Sequence, residues 1–278
     1  MRLTPEQREA YRRDGYLILE GFVPAETCDR LRDRMAELLA GFDPTGLRTV
    51  FETRKRRHSE DSYFLESGDK IRFFFEPGAL NEDGELRQTK ELSINKVGHA
   101  LHDLDPVFAA FSRSPALAEV AADIGYIQPL LLQSMYIFKQ PRIGAEVISH
   151  QDSAFLHTEP ESCTGFWFAL EDATVENGCM WAEPGGHRRT LQARYVREGG
   201  TARMVTLDPA PLPAEGLVPL ACGKGALVLL HGRLPHRSGP NLSDRSRHAY
   251  ALHLIDAGSH YSQDNWLQRA PDMPLRGF

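Results

Sequence analysis

Hydrophobic positions in the first part of the chain recur at the spacing of short amphipathic helices. Thr4, Pro5 and Gln7 form a capping-box pattern, which predicts a helix that begins at Pro5 and ends near Gly15. Leucine and methionine recur every three to four positions between Pro24 and Ala40, which predicts a second helix. The other elements predicted in this part are a strand over Tyr16–Leu19, a strand over Ile71–Phe75, and a helix over Pro106–Ile124.

From about residue 126 the pattern changes to short β-rich runs separated by turn signals such as Glu176-Asn177-Gly178 and Gly239-Pro240-Asn241. Many short strands without long helices between them are typical of a sandwich or barrel rather than a parallel sheet. We therefore predict one mostly β domain over residues 1–278, in which a helical layer (about 1–125) supports a β core (about 126–260). The predicted strands of the core are 130–139, 146–150, 164–170, 179–182, 226–230 and 248–255.

Composition narrows the class of protein. The chain has 278 residues, 41% of them hydrophobic and 25% charged, which is ordinary for a soluble globular protein. A net charge of −6 gives no electrostatic case for nucleic acid or an anionic membrane as partner. The basic run Arg54–Arg57 is interpreted as a solvated loop, with a nuclear address or an anion patch as the alternative.

The same composition bears on location and assembly. No apolar run approaches the ~20 residues of a membrane span, and the first residues carry no signal-peptide core. We therefore expect a cytoplasmic protein, and a monomer by default. The cysteines lack metal-finger spacing and are expected to be reduced thiols rather than a disulfide framework. These are Cys28, Cys163, Cys179 and Cys222.

Candidate metal ligands occur in two separate places, at His150-Gln151-Asp152 and at His236. On a strand, His150 and Asp152 are two positions apart and point to the same face. Two imidazoles and one carboxylate on one face of an ion leave the opposite face open, which is the facial triad of non-haem Fe(II) oxygenases. The alternative is a surface strand end with unrelated polar residues.

Two arginines follow the second histidine. His236 and Arg247 are equidistant from the turn at Gly239-Pro240-Asn241, so a hairpin would place them opposite each other on neighbouring strands. An acid bound by the arginine would then reach the metal. Arg245 has the same strand parity as Arg247, so spacing does not choose between them, and a solvated pair near a turn is the alternative. Alternation along the last strand predicts one uncrowded face, with Arg247, Ala249 and Ala251, and one bulky face, with Tyr250, Leu252 and Leu254.

Several longer stretches of the sequence resemble a known family, the phytanoyl-CoA dioxygenases, which are Fe(II)/2-oxoglutarate oxygenases. The resemblance covers nearly the whole chain and implies a double-stranded β-helix (jelly-roll) core with the metal at its mouth. The runs include Asp14-Gly15-Tyr16-Leu17, Ser67–Glu76, Ser93–Lys96, Gln133–Gln140, Glu176–Cys179 and Asn241–Arg247.

The resemblance also implies roles for individual residues. It places iron on the histidine and aspartate set His150, Asp152 and His236. It assigns the distal carboxylate of 2-oxoglutarate to Arg247, with Ser238 alongside. Three further positions match residues that line the cosubstrate pocket; the alternatives are a surface lysine for the first and ordinary core packing for the others. They are Lys96, Met135 and Trp167.

The implied reaction is hydroxylation of a C–H bond of a small molecule, with Fe(II), 2-oxoglutarate and O₂ as cofactors, ascorbate as a candidate reductant, and succinate and CO₂ as products. Asp152 favours hydroxylation over halogenation, because related halogenases have a small residue at that position, which opens a site for halide. A CoA thioester is not carried over as substrate, because composition shows no adenine or pyrophosphate site. The rival interpretations are a zinc-dependent hydrolase and a non-catalytic 2-oxoglutarate sensor.

Three other basic residues are candidates for the entrance of such a site. Lys70 and Arg72, beside the aromatic run Phe73–Phe75, are candidates for an acidic group of the substrate, although solvated basic residues on a strand are the favoured interpretation. His187 lies in a glycine-rich turn and could reach the rim of the pocket. A hydrogen-bonded loop histidine is the favoured interpretation there.

Overall fold

A computed structural model describes residues 2–53 and 61–278 of the chain. The basic run Arg54–Arg57 lies outside the described residues. The helices are α1 (Pro5–Asp14), α2 (Ala25–Ala40), α3 (Ser62–Leu65), α4 (Lys90–Ser93), α5 (Leu101–Leu104), α6 (Pro106–Ser112) and α7 (Pro115–Asp123). The strands are β1 (Tyr16–Leu19), β2 (Ile71–Phe75), β3 (Ile94–His99), β4 (Pro129–Ile137), β5 (Val147–His150), β6 (Thr158–Glu159), β7 (Thr164–Ala169), β8 (Met180–Ala182), β9 (Ala193–Glu198), β10 (Thr201–Thr206), β11 (Val218–Leu220), β12 (Leu227–His231), β13 (His236–Ser238), β14 (Ala249–Asp256) and β15 (His260–Tyr261).

Two antiparallel sheets form the core. The larger has seven strands in the order β1-β12-β7-β14-β4-β3-β2, and the smaller has four in the order β11-β8-β13-β5. One cluster of buried side chains joins them, with Trp167 and Ala251 from the large sheet and Met180 and Leu220 from the small one. The expected jelly-roll core is therefore confirmed. Strands β9 and β10 form a separate hairpin, which the sequence pattern did not predict.

The large sheet has the two unequal faces that alternation predicted. Tyr250, Leu252 and Leu254 point into a hydrophobic cluster that also contains Leu31 of α2 and Phe108 of α6. The helices therefore cover the outer face of this sheet. On the other face, the smaller residues of β14 border the space between the two sheets. This inner face is where a ligand can be accommodated.

The N-terminal helix shows how a local sequence signal determines an element boundary. The Thr4 hydroxyl accepts from the amide of Gln7 at 3.2 Å, and the Gln7 side chain accepts from the amide of Thr4 at 2.9 Å. The helix ends where Gly15 adopts a φ of 79°, which glycine reaches without steric cost. The capping-box prediction is confirmed. No helix in the described ranges is both long enough and apolar enough to span a membrane.

Three expectations about elements are wrong. The helix predicted over Pro106–Ile124 is two helices, because Pro115 begins a new one. Strand β5 ends at His150, and Asp152 begins a 3-10 helix (152–154), so the two do not lie on one strand. Strands β13 and β14 belong to different sheets, so His236 and Arg247 are not hairpin partners.

Candidate active site

Three potential metal ligands converge between the two sheets. His150 and His236 are paired residues on the adjacent strands β5 and β13. Their Nε2 atoms lie 3.5 Å and 3.7 Å from Oδ1 of Asp152, and the two imidazole centroids are 4.3 Å apart. All three ligand atoms lie within 4.8 Å of one another. Two imidazoles and one carboxylate at this spacing fit the facial set preferred by non-haem Fe(II).

Backbone hydrogen bonds orient both imidazoles. Nδ1 of His150 lies 2.9 Å from the carbonyl of Ile148, and Nδ1 of His236 lies 3.0 Å from the carbonyl of Leu234. A carbonyl only accepts, so Nδ1 carries the proton in each ring. The lone pair of each neutral ring is therefore on Nε2, which faces Asp152.

Electrostatics favour the protonation states that a metal needs. Burial lowers the pKa of His236 to about 4, so this ring is neutral at pH 7. Burial by itself would raise the pKa of Asp152, but His236 and His253 outweigh it and hold the pKa well below its ordinary value. The site therefore offers a carboxylate and a neutral imidazole near neutral pH.

Arg247 lies in the same cavity and is 2% exposed. Its Nη2 donates to the hydroxyl of Ser238 at 3.3 Å, and its guanidinium lies 5.2 Å from the centroid of the Trp167 ring system. Among the described residues, its Nε and Nη1 have no hydrogen-bond partner. Burial lowers the pKa of Arg247 to about 10, so it stays charged at pH 7. A buried guanidinium with unused donors fits a carboxylate ligand.

Lys96 supplies a second buried cation in the cavity. It is 5% exposed, and its Nζ lies 3.4 Å from the ring centroid of Phe51 and 3.7 Å from the sulfur of Met135. Burial lowers the pKa of Lys96 to about 7. Among the described residues that line the cavity, the only carboxylate is that of Asp152.

The cavity has a volume of about 200 Å³ and brings together the eight residues that the resemblance assigned to the metal and the cosubstrate. Rings form much of its remaining wall. The site residues are His150, Asp152, His236, Arg247, Ser238, Lys96, Met135 and Trp167, and the ring-bearing residues of the wall include Phe51, Phe64, Phe155, Tyr195 and Trp266.

Four other candidates are not among the lining residues. Arg245 is exposed, whereas Arg247 is buried in the cavity. Arg72 donates to the carbonyl of Tyr63 at 2.5 Å, and Lys70 pairs with Asp69. The ring of His187 lies near that of His231, with centroids 5.1 Å apart and planes tilted by 49°, and neither ring lines the cavity.

Sequence reasoning gave no role to several polar residues of the cavity, among them His253, Gln133 and Lys139. Two could have been found, because His253 has the strand parity of Arg247, and Gln133 that of Met135. Lys139 lies just beyond β4, and its ammonium group donates to the carbonyl of Ala145 at 2.6 Å. Burial, with a contribution from Arg247, lowers the pKa of Lys139 to about 7.

The chain matches a known protein family over most of its length. Residues 11–249 match the family described as phytanoyl-CoA dioxygenase (PhyH). The chain belongs to this family. Membership confirms the resemblance read from the sequence and places the chain in the dioxygenase class. The matched range contains all three potential metal ligands, Arg247 and Ser238.

Individual relatives match over nearly the full length. The chain is 50% identical to phytanoyl-CoA dioxygenase 1 of Oryza sativa subsp. japonica, covering 98% of this chain and 97% of the relative. It is 46% identical to phytanoyl-CoA dioxygenase domain-containing protein 1 of Bos taurus, with the same coverage.

Solved structures share the fold at lower sequence identity. The non-heme alpha ketoglutarate dependent carbocyclase SnoK from nogalamycin biosynthesis has a TM-score of 0.66 at 20% identity, covering 99% of this chain and 94% of SnoK. EctD from S. alaskensis, solved with 2-oxoglutarate and 5-hydroxyectoine, has a TM-score of 0.65 at 20% identity, covering 96% of this chain and 84% of EctD. Both likenesses support the jelly-roll assignment.

Proposed function

We propose that this chain is an Fe(II)- and 2-oxoglutarate-dependent dioxygenase that hydroxylates a C–H bond of a small-molecule substrate, consuming O₂ and releasing succinate and CO₂. The observation that carries the proposal is one cavity that joins a two-histidine, one-carboxylate set to a buried arginine with unused donors. Family membership supports the dioxygenase class. Of the similar solved structures, SnoK is an alpha ketoglutarate dependent carbocyclase and EctD was solved with 2-oxoglutarate, which supports the choice of cosubstrate.

Each site residue then has a definite task. His150, Asp152 and His236 hold the metal through Nε2, Oδ1 and Nε2. Arg247 binds the far carboxylate of 2-oxoglutarate, and Ser238 orients the guanidinium through its hydroxyl. When bound, iron and 2-oxoglutarate supply the oxidant for hydroxylation, with ascorbate as a candidate reductant that keeps iron ferrous.

The remaining lining residues shape the space around these groups. Trp167 lies against the guanidinium and restricts its movement. Lys96 offers a positive charge in a wall made largely of rings, and Met135 fills the space beside it. This apolar wall excludes water from the position where a substrate would meet the metal.

The strand order supports a single domain. Strands β1, β2 and β3 come from the N-terminal part, yet they share the large sheet with β4, β7, β12 and β14. The helices of that part cover the outer face of the same sheet. We therefore interpret residues 1–278 as one dioxygenase domain.

The direct test measures binding and turnover separately. Under anaerobic conditions, the protein is titrated with Fe(II) and then with 2-oxoglutarate, and succinate is measured after O₂ is admitted. We expect His150→Ala and Asp152→Ala to lose metal binding and succinate formation. We expect Arg247→Met to keep metal binding and to weaken 2-oxoglutarate binding by about 10- to 100-fold, because a charge-assisted hydrogen-bonded pair is lost.

Arg245→Met is the matched control, since it removes an exposed arginine two positions away and should leave both binding constants unchanged. Full succinate formation by His150→Ala or Asp152→Ala would contradict the metal assignment. Tight zinc binding with no response to 2-oxoglutarate would favour a hydrolase, and binding of iron and 2-oxoglutarate without any turnover across a metabolite screen would favour a sensor.

A further inference from the structure

A histidine outside the proposed ligand set lies against the metal-binding carboxylate. His253 is on β14, and its cross-strand neighbours are Gly165 on β7 and Gln133 on β4. Its Nε2 lies 3.2 Å from Oδ2 of Asp152. The ring is nearly fully buried, so this contact is shielded from solvent.

Gly165 provides the space in which the carboxylate and the imidazole meet. A Cβ at this position would lie 3.2 Å from Oδ2 of Asp152 and 3.4 Å from Nε2 of His253. The first distance is shorter than most real Cβ contacts, so a side chain here would press on the carboxylate. The contact between His253 and Asp152 is therefore possible because Gly165 on β7 has no side chain.

The hydrogen-bond partners of His253 indicate which ring nitrogen carries its proton. A carboxylate only accepts, so Nε2 of His253 must carry a proton to bond with Oδ2 of Asp152. The side-chain amide nitrogen of Gln133 lies 3.2 Å from Nδ1 of His253, where it can donate to the ring when the ring proton is on Nε2.

The two oxygens of Asp152 consequently have different partners. Oδ2 is taken by His253, whereas Oδ1 lies between the Nε2 atoms of His150 and His236. Because Asp152 lies on a 3-10 turn rather than on β5, the strand does not fix the direction of its side chain. A hydrogen bond from another element, here His253 on β14, is needed to fix it.

Resting on the proposed function, we propose that His253 is a positioning residue that holds Asp152 with Oδ1 alone toward the metal, and that Gln133 and Gly165 hold His253 in place. A carboxylate bound through one oxygen occupies one coordination position. The positions left free are then available to the cosubstrate and to O₂.

The test compares His253→Leu with His253→Gln by anaerobic titration with Co(II), a redox-stable probe for the Fe(II) position. Leucine removes the donor, so we expect Co(II) affinity to fall by about 10- to 100-fold, as is typical when a partner of a metal ligand is lost. Glutamine offers an amide donor in place of the imidazole, so it should restore at least part of the affinity. His260→Leu is the control, because it removes an exposed histidine outside the cavity. This variant should bind Co(II) with the affinity of the wild type.

A second variant keeps the test decisive if His253→Leu does not fold. Gln133→Leu leaves His253 in place without its orienting amide, and we expect a smaller loss of Co(II) affinity, with unfolding of the metal-free protein measured in parallel. Unchanged Co(II) affinity in His253→Leu and Gln133→Leu would overturn the inference. Equal losses in His253→Leu and His253→Gln would also overturn it, because the ring's volume rather than its donor would then matter. A wild-type protein that binds neither Co(II) nor Fe(II) would instead contradict the proposed function.

Discussion

At the scale of single residues, the cavity contains charged side chains whose burial costs stability. Lys96 and Arg247 are buried without a carboxylate partner among the described residues that line the cavity. Desolvation of an unpaired cation is unfavourable, so such residues persist where a ligand uses them. In the proposed function, the carboxylates of 2-oxoglutarate would compensate part of that cost when they bind.

Lys96→Met should therefore stabilise the ligand-free protein while weakening cosubstrate binding. Burial lowers the pKa of Lys96 to about 7, whereas the unfolded chain has a value near ~10.4. The charge penalty is fully present below pH 7, and it declines to zero as pH rises from about 7 to ~10.4. Urea unfolding should show the variant more stable by a few kcal/mol at pH 6, and by much less at pH 9.5.

Lys70→Met provides the control, because it removes a lysine that is about half exposed and whose surface pair contributes little. A stability gain for Lys96→Met that is the same at both pH values would contradict a charge effect and indicate better packing instead.

At the scale of elements, local signals were predictable and strand pairing was not. The capping box at Thr4 and the two faces of β14 follow from neighbouring positions, and the structure has both. The hairpin expected between His236 and Arg247 failed because equal spacing from a turn implies pairing only when the two strands share a sheet. Here β13 pairs with β5 and β8, whereas β14 pairs with β4 and β7. Both residues still line the cavity, because it lies between the two sheets.

Gln151 shows how elements are joined at the metal site. Strand alternation would point its side chain away from the face that carries His150 and Asp152. Its amide nitrogen donates to the carbonyls of Arg233 (2.8 Å) and Thr190 (3.2 Å), and its oxygen accepts from the amide of Gln192 (2.8 Å). It thus ties the end of β5 to the segments that lead into β13 and β9.

Gln151→Ala should consequently weaken both folding and metal binding. Three backbone groups would lose a partly buried hydrogen bond, which we expect to lower the free energy of unfolding by roughly 2–3 kcal/mol. Co(II) affinity should fall as well, since His150 and Asp152 flank this residue. Chemical unfolding and metal titration measure the two effects, with the exposed Gln128→Ala as control. A loss of stability with unchanged Co(II) affinity would show that β5 holds its ligands without this link.

At the scale of the whole molecule, the last residues of the chain complete the cavity wall. The rings of Trp266 and Phe64 stack at 4.5 Å, and both line the cavity. No hydrophobic periodicity signalled this, because among the described residues no helix or strand follows β15 and the partners of this segment are distant in sequence. The runs that carried the family resemblance end at Arg247, before this segment.

One buried carboxylate anchors this C-terminal segment to the helical layer. The side chain of Asp103 is 1% exposed and lies 2.7 Å from Arg269 and 2.8 Å from Arg276, and Arg113 of the helical layer lies 2.6 Å away. Burial by itself would raise the pKa of Asp103, but His102 and these arginines outweigh it and hold the pKa below its ordinary value. The pairing therefore stabilises the fold above the unfolded pKa of ~3.9, and this contribution is lost as pH falls through the lower folded value.

Asp103→Ala should release the segment from its anchor, because Arg269 would remain buried without a counter-charge. We expect the free energy of unfolding to fall by roughly 3 kcal/mol at pH 7, and the difference from the wild type to shrink at pH 3. Amide hydrogen exchange should quicken in this segment, over residues 266–278, and at Leu131, whose amide donates to the carbonyl of Arg276. The exposed Asp83→Ala should change neither quantity. Unaltered exchange in this segment would mean that ring stacking at Trp266, rather than the ionic anchor, holds the cavity wall in place.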